Sequence, residues 1–118
     1  MSRLARRAGM RRFRPAVSWG SSTIDASDQT KLFLRIDRFV VRRHRATAMR
    51  LLNRIVRSQR WGIARARPQG WAIYFKGGWG DGDGEVDHQV ALLRRGQRRV
   101  AVAVMTLGNP SHAYGKET

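Results

Sequence analysis

The sequence contains no cysteine, so neither a disulfide framework nor a thiolate metal site can form. It also lacks a long apolar run. The apolar residues near its start are scattered among arginines and do not form the ~7–15-residue apolar core of a secretory signal. No stretch approaches the ~20 apolar residues of a membrane helix. We therefore predict no membrane span, no metal and no cofactor, and a cytoplasmic location for the chain as given.

Acidic residues are scarce: 24 lysines and arginines face eight aspartates and glutamates, which gives a formal net charge of +16. The first 24 residues hold no acid and six arginines: Arg3, Arg6, Arg7, Arg11, Arg12 and Arg14. Such a charge indicates a polyanionic partner, such as nucleic acid or anionic lipid. An arginine-biased coding sequence accounts for it equally well. We predict a basic N-terminal arm and loop over residues 1–22, with the segment 3–14 as a candidate polyanion-binding element.

The remaining residues, 23–118, have the length and the hydrophobic content of one globular domain. Asp25 is positioned to cap a helix over about 26–39, and Leu32, Phe33 and Ile36 recur at helical spacing. A second apolar stripe that includes Met49, Leu52 and Ile55 predicts a helix over about 44–58. Gly62 then marks the end of the helical region.

Alternating apolar residues predict three strands, over about 71–76, 86–94 and 98–106. The resulting fold class is α+β, an antiparallel three-stranded meander packed with two helices. The run from Val100 to Met105 is apolar on both faces, which is typical of a strand covered on both sides. Two helices do not cover both faces of a sheet, so the fold looks incomplete.

The tripeptide Lys76-Gly77-Gly78 is predicted to lie at the end of the first strand. A lysine beside glycines places a cation where another backbone can approach closely. That arrangement is suited to holding an acyl or carboxylate group.

Several motifs together resemble the C-terminal part of serine β-lactamase-like hydrolases, the superfamily shared with penicillin-binding transpeptidases. The resemblance covers nearly the whole chain and rests on the order of these segments: Gly9-Met10, Trp19-Gly20-Ser21-Ser22-Thr23, the helix from Asp28 to Phe39, Gln59-Arg60-Trp61-Gly62, Phe75-Lys76-Gly77-Gly78-Trp79-Gly80, Asp87-His88-Gln89-Val90 and Thr106-Leu107-Gly108-Asn109-Pro110-Ser111.

The resemblance implies that Lys76, Gly77 and Gly78 bind substrate, as the Lys-Thr/Ser-Gly box does in that family. It further implies that the backbone N–H of Trp79 faces an oxyanion hole, and that an intact relative acts on a β-lactam or another acyl or peptide substrate through a serine acyl-enzyme. Gly77 departs from the box, because the family has a hydroxyl-bearing residue there. The intact family is usually exported.

The nucleophile of that family is absent from this sequence. No serine stands three residues before any of the lysines Lys31, Lys76 and Lys116, so no Ser-x-x-Lys box exists. The Ser-x-Asn and Tyr-x-Asn boxes are missing too, and no glutamate occurs upstream of Glu85. We therefore expect a truncated serine hydrolase that is catalytically incomplete and inactive alone.

Two alternatives stay open: a small arginine-rich nucleic-acid-binding protein, and a module that docks through its uncovered sheet face. Among single residues, His88 is predicted to be a packed, hydrogen-bonded histidine, and Trp71 a core residue. His44 and His112 have no partner visible in the sequence. The pattern Asp81-x-Asp83-x-Glu85 is interpreted as a solvated hairpin turn because it lacks calcium-loop spacing.

Overall fold

The computed structural model describes residues 3–80 and 85–118 and has an α+β fold. An open sheet of three antiparallel strands, in the order β1-β2-β3, is combined with six α-helices in the described ranges. The strands are β1 (Ala72–Gly80), β2 (Glu85–Arg95) and β3 (Arg98–Asn109). The helices are α1 (Arg3–Ala8), α2 (Ala26–Leu34), α3 (Ile36–Phe39), α4 (Arg42–Asn53), α5 (Ile63–Ala66) and α6 (His112–Glu117). The predicted fold class is confirmed.

The central strand β2 is buried on both faces. Val90 and Leu92 face α2 and α4 and pack with Phe33 and Met49. Ala91 and Leu93 face the opposite side, where they pack with Ile73 and Phe75 of β1. Trp71, predicted to be a core residue, packs against this second cluster. Alternation along each strand therefore sorts the apolar residues into two cores, one on each face.

The outer strand β3 is less covered than its apolar run predicts. Val100 and Val104 are each 45% exposed on the face opposite α2 and α4. The reason is the short α5, whose Ile63 and Ala64 reach only the inner part of that face. A groove of about 470 Å³ is left between α5, α6 and β3.

Both long predicted helices end earlier than expected. Arg35 interrupts the first with a non-helical ψ of 20°, and its guanidinium donates to the carbonyl of Ala8 at 3.0 Å, so that α2 and α3 replace one helix over 26–39. The second begins at Arg42 and ends at Asn53 instead of reaching residue 58. The Asn53 side chain donates to the carbonyl of Ile73 at 2.8 Å, and Ile55 then packs on the opposite face of the sheet.

The N-terminal segment differs from the predicted arm and loop, because it packs onto the domain. Ala5 and Ala8 of α1 are buried with Met10 against Leu32 and Phe39. The segment is also held by the carboxylate of Asp28, which is 1% exposed. This carboxylate accepts hydrogen bonds from the backbone N–H groups of Arg12 (2.6 Å) and Phe13 (3.1 Å) and from Lys31 Nζ (2.9 Å). Asp25 caps α2 as predicted.

In the described ranges, no helix combines the length and the apolar character needed to cross a membrane.

Candidate functional site

Strand β1 continues through the predicted functional tripeptide. Lys76, Gly77 and Gly78 were expected at the end of a strand, but they lie inside β1, which runs on to Gly80. The pairing with β2 is unbroken, with Lys76 opposite Val90 and Gly78 opposite His88. Residues 81–84 of the predicted glycine-rich connection, including Asp81 and Asp83, lie outside the described residues.

The outer edge of β1 pairs with no other strand of the described sheet. β1 is an edge strand, so only one of its sides pairs with β2. The carbonyl of Ile73 points away from β2, since it accepts from Asn53. Backbone groups alternate in direction along a strand, so the N–H and C=O groups of Gly77 and Trp79 face the same outer edge. The edge is therefore able to receive an extended ligand backbone.

A groove of about 470 Å³ runs along this outer edge. The segment after α4 forms one wall and β1 forms the other, and the groove is within the size range of ligand sites. Its lining is apolar apart from Arg54, Gln59 and Lys76: the other lining residues are Leu51, Leu52, Ile55, Val56, Phe75, Gly77 and Trp79. No acid, serine, threonine or histidine occurs among these lining residues. The groove thus offers two cations for an anion and no nucleophile.

Lys76 is exposed, and its Nζ contacts only the carbonyl of the neighbouring Gly77 among the groups to which it donates in the described chain. It has no carboxylate partner there. An incoming carboxylate would replace the neutral carbonyl of Gly77 as the acceptor of the Lys76 hydrogen bond. The hydrogen bond to a carboxylate is stronger, because both partners are charged. Lys76 is therefore available to bind an anion.

The two glycines of the tripeptide leave space above the strand. A Cβ on Gly78 would meet nothing within 4 Å, and one on Gly77 would only touch the ring of Phe75 at 3.4 Å. A hydroxyl-bearing residue would thus fit at position 77. Packing therefore does not require glycine at position 77, although this sequence has glycine there.

A buried carboxylate contacts a histidine ring on the far side of Trp79. Asp87 is 3% exposed and stands opposite Trp79 in the β1–β2 register. Its carboxylate is 2.5 Å from Nδ1 of His112 and also accepts from Asn109 Nδ2 at 3.3 Å. Because a carboxylate only accepts hydrogen bonds, Nδ1 of His112 carries the proton that is donated to Asp87.

His112 lies between two indole rings. It stacks on Trp79 with a centroid distance of 5.5 Å and meets Trp61 edge to face at 5.7 Å. Trp61 is held in turn by Gln89, whose side chain accepts from Ile63 N and donates to the carbonyl of Trp61. Stacking on His112 holds the side chain of Trp79 in place, and the backbone of Trp79 faces the groove along β1.

Sequence reasoning missed this pair, because 25 residues separate its partners. The available signal was an aspartate on the same strand face as the apolar Ala91 and Leu93. A second difference concerns His88, which was predicted to be packed and hydrogen-bonded. It is half-buried, but its Nδ1 is buried without a hydrogen-bond partner. Among the described residues, no three metal-ligating side chains gather at one place.

The chain matches no protein-family model, no curated protein and no solved structure. Functional inference therefore rests on the geometry of the β1 edge and on the chemistry of its residues.

Proposed function

We propose that the outer edge of β1 binds the carboxylate and backbone of an acyl or peptide ligand, in the manner of the lysine-box strand of serine β-lactamase-like hydrolases. The supporting observation is the combination of an exposed Lys76, which has no carboxylate partner among the described residues, with the edge backbone groups of Gly77 and Trp79 beside an apolar groove. Lys76 attracts the carboxylate, and the edge of β1 pairs with the ligand backbone. The apolar wall receives the acyl side chain.

The proposed site binds a ligand but lacks the nucleophile and the base that catalysis needs. Acyl transfer of this type needs a serine nucleophile and a base, but the sequence has no Ser-x-x-Lys box and the groove has no hydroxyl side chain. In this proposal Trp79 lends its N–H to the ligand carbonyl. Such a donor accelerates a reaction only when a nucleophile attacks that carbonyl. The chain alone is then a ligand-binding, catalytically incomplete serine hydrolase.

Lys76→Met is expected to weaken the binding of an N-acylated dipeptide about 10- to 100-fold, because a charge-assisted hydrogen bond is worth about 1.5–3 kcal/mol. Isothermal titration calorimetry with the free acid and with its methyl ester measures the effect. The wild-type protein should prefer the acid, and the variant should bind both forms equally weakly.

Lys116→Met is the matched control, since it removes the same charge from an exposed lysine that does not line the β1 groove. It should retain wild-type affinity. Equal losses in the two variants would attribute binding to net charge and would refute a site at Lys76. Turnover of a chromogenic cephalosporin by the purified chain would refute the absence of a nucleophile.

A further inference from the structure

Two arginine guanidinium groups flank one aromatic ring, that of Phe39 at the end of α3. The guanidinium of Arg7 lies 5.8 Å from the centroid of the Phe39 ring, and that of Arg35 lies 5.7 Å from it. Arg3 stands one helical turn before Arg7 on the same face of α1. Three more arginines lie within four residues of Phe39 along the chain. We call this set the Phe39 patch: Arg3, Arg7, Arg35, Arg38, Arg42 and Arg43.

Among the described residues, no salt bridge joins a carboxylate to an arginine of the Phe39 patch. The acidic residues of the first 80 positions are Asp25, Asp28 and Asp37. Asp25 pairs with Arg12 at 3.1 Å and Asp28 with Lys31 at 2.9 Å. Asp37 is the acid nearest to the patch in the sequence. It accepts hydrogen bonds from both terminal nitrogens of Arg99, at 2.6 and 3.0 Å. The hydrogen bonds from Arg99 hold the pKa of Asp37 below its usual range, so that carboxylate stays ionised and occupied.

The patch is held in place by packing. Ala5 and Ala8 fix α1 against Phe39, and Arg35 bridges to the carbonyl of Ala8 while stacking on the ring. The guanidinium groups of Arg7 and Arg35 are therefore fixed on a folded surface. The exposed Arg38, Arg42 and Arg43 lie on the helices that follow directly in the chain, α3 and α4. Guanidinium is the side-chain group best matched to phosphate oxygens, because it donates two parallel hydrogen bonds.

We propose that the Phe39 patch binds the phosphate backbone of nucleic acid, independently of the ligand edge of β1. A nucleic acid fits better than a membrane surface. Insertion into a membrane needs a continuous apolar face, and the apolar face of α1 is already buried against the domain. The large apolar side chains exposed next to patch arginines in the sequence are Leu4, Leu34 and Val41, which lie on three separate segments of the chain. Contacts to phosphate carry no sequence information, so binding is sequence-independent.

Fluorescence anisotropy with a short labelled DNA duplex, across a series of KCl concentrations, tests the proposal. The variant Arg38→Gln/Arg42→Gln/Arg43→Gln removes three exposed guanidinium groups of the patch. The slope of log K against log salt should become shallower by about 2.7, since each lost phosphate contact removes about 0.9. Equal melting temperatures of the wild-type and variant proteins would show that the fold is retained.

The control variant Arg65→Gln/Arg95→Gln/Arg98→Gln removes the same charge from exposed arginines elsewhere. It should leave the slope within about 0.5 of the wild-type value if only non-contacting charge is lost. Equal changes in both variants would assign binding to diffuse charge and overturn the patch. Absent or salt-insensitive DNA binding would also overturn it. A third outcome would also overturn the proposal: the patch variant loses tight binding to phosphatidylserine vesicles but binds DNA as the wild-type protein does.

Discussion

Asp28→Ala should lower the free energy of unfolding by about 2–4 kcal/mol and release the N-terminal segment from the domain. The carboxylate is buried and accepts from two backbone N–H groups and from Lys31. Alanine leaves the N–H groups of Arg12 and Phe13 without their acceptor. Urea denaturation measures the loss of stability, and limited trypsin digestion should show faster cleavage after Arg11 and Arg12.

Asp25→Ala is the matched control for this variant. Asp25 caps the same helix, but its side chain is 24% exposed and does not hold the N-terminal segment through backbone N–H groups. It should cost less stability and leave the tryptic pattern almost unchanged. Equal cleavage rates in the two variants would contradict the role assigned to Asp28.

The pH dependence of the free energy of unfolding is a second test of the role of the Asp28 carboxylate. Burial alone would raise the pKa of Asp28, but hydrogen bonds from Lys31 and from the backbone of residues 11–13 outweigh it and hold the pKa well below its usual range. Unfolding returns the group to about 3.9. Its contribution to stability is thus complete above that value and decreases as the pH falls toward the folded pKa. Asp28→Ala should lose less stability in that acidic range than the wild-type protein.

Gly115→Ala should destabilise the protein by about 1–3 kcal/mol, through overpacking at the end of the sheet. A Cβ on Gly115 would overlap the carboxylate of Asp87 and the amide of Asn109. Both groups are fixed by hydrogen bonds, so α6 must shift and carry His112 away from Trp79. Urea denaturation reports the stability, and the tryptophan emission spectrum reports the stack.

Gly78→Ala is the control for this substitution. A Cβ at Gly78 has open space, and its backbone does not require glycine. That variant should be at least as stable as the wild-type protein, since alanine restricts the unfolded chain more than glycine does. A stable Gly115→Ala protein with unchanged emission would contradict the tight packing of α6 on Asp87.

Local patterns predicted the three strands and the two main helical segments of this fold, and non-local contacts set their ends. The short helices α1, α5 and α6 were not predicted. Phe33 and Met49 lie in the core as their helical spacing predicts. Ile55 and Val56 lie inside the helix predicted over about 44–58, but they follow α4. The reason is that Asn53 ties the helix end to β1 and the chain then crosses the strand's edge. Val56 is 64% exposed as a result. The helical periodicity of the sequence gives no information about the contact between Asn53 and Ile73.

The candidate site was predicted in part. The sequence indicated Lys76, Gly77 and Gly78, because a lysine before two glycines in an alternating run is a local signal. The unpaired edge and the wall formed by residues 51–59 depend on sheet order, which a single sequence does not specify. The stack of His112 on Trp79 likewise depends on the turn after β3 and on a buried aspartate in β2.

The most direct test of the ligand edge is an NMR titration of the isotope-labelled wild-type protein with the N-acylated dipeptide. We expect saturable shifts of the Gly77 and Trp79 backbone amides, which face the outer edge of β1. These shifts should be lost in Lys76→Met and retained in Lys116→Met. Intact-mass spectrometry after incubation with benzylpenicillin should find no covalent adduct. Shifts confined to other strands, or amide shifts that persist in Lys76→Met, would contradict the account.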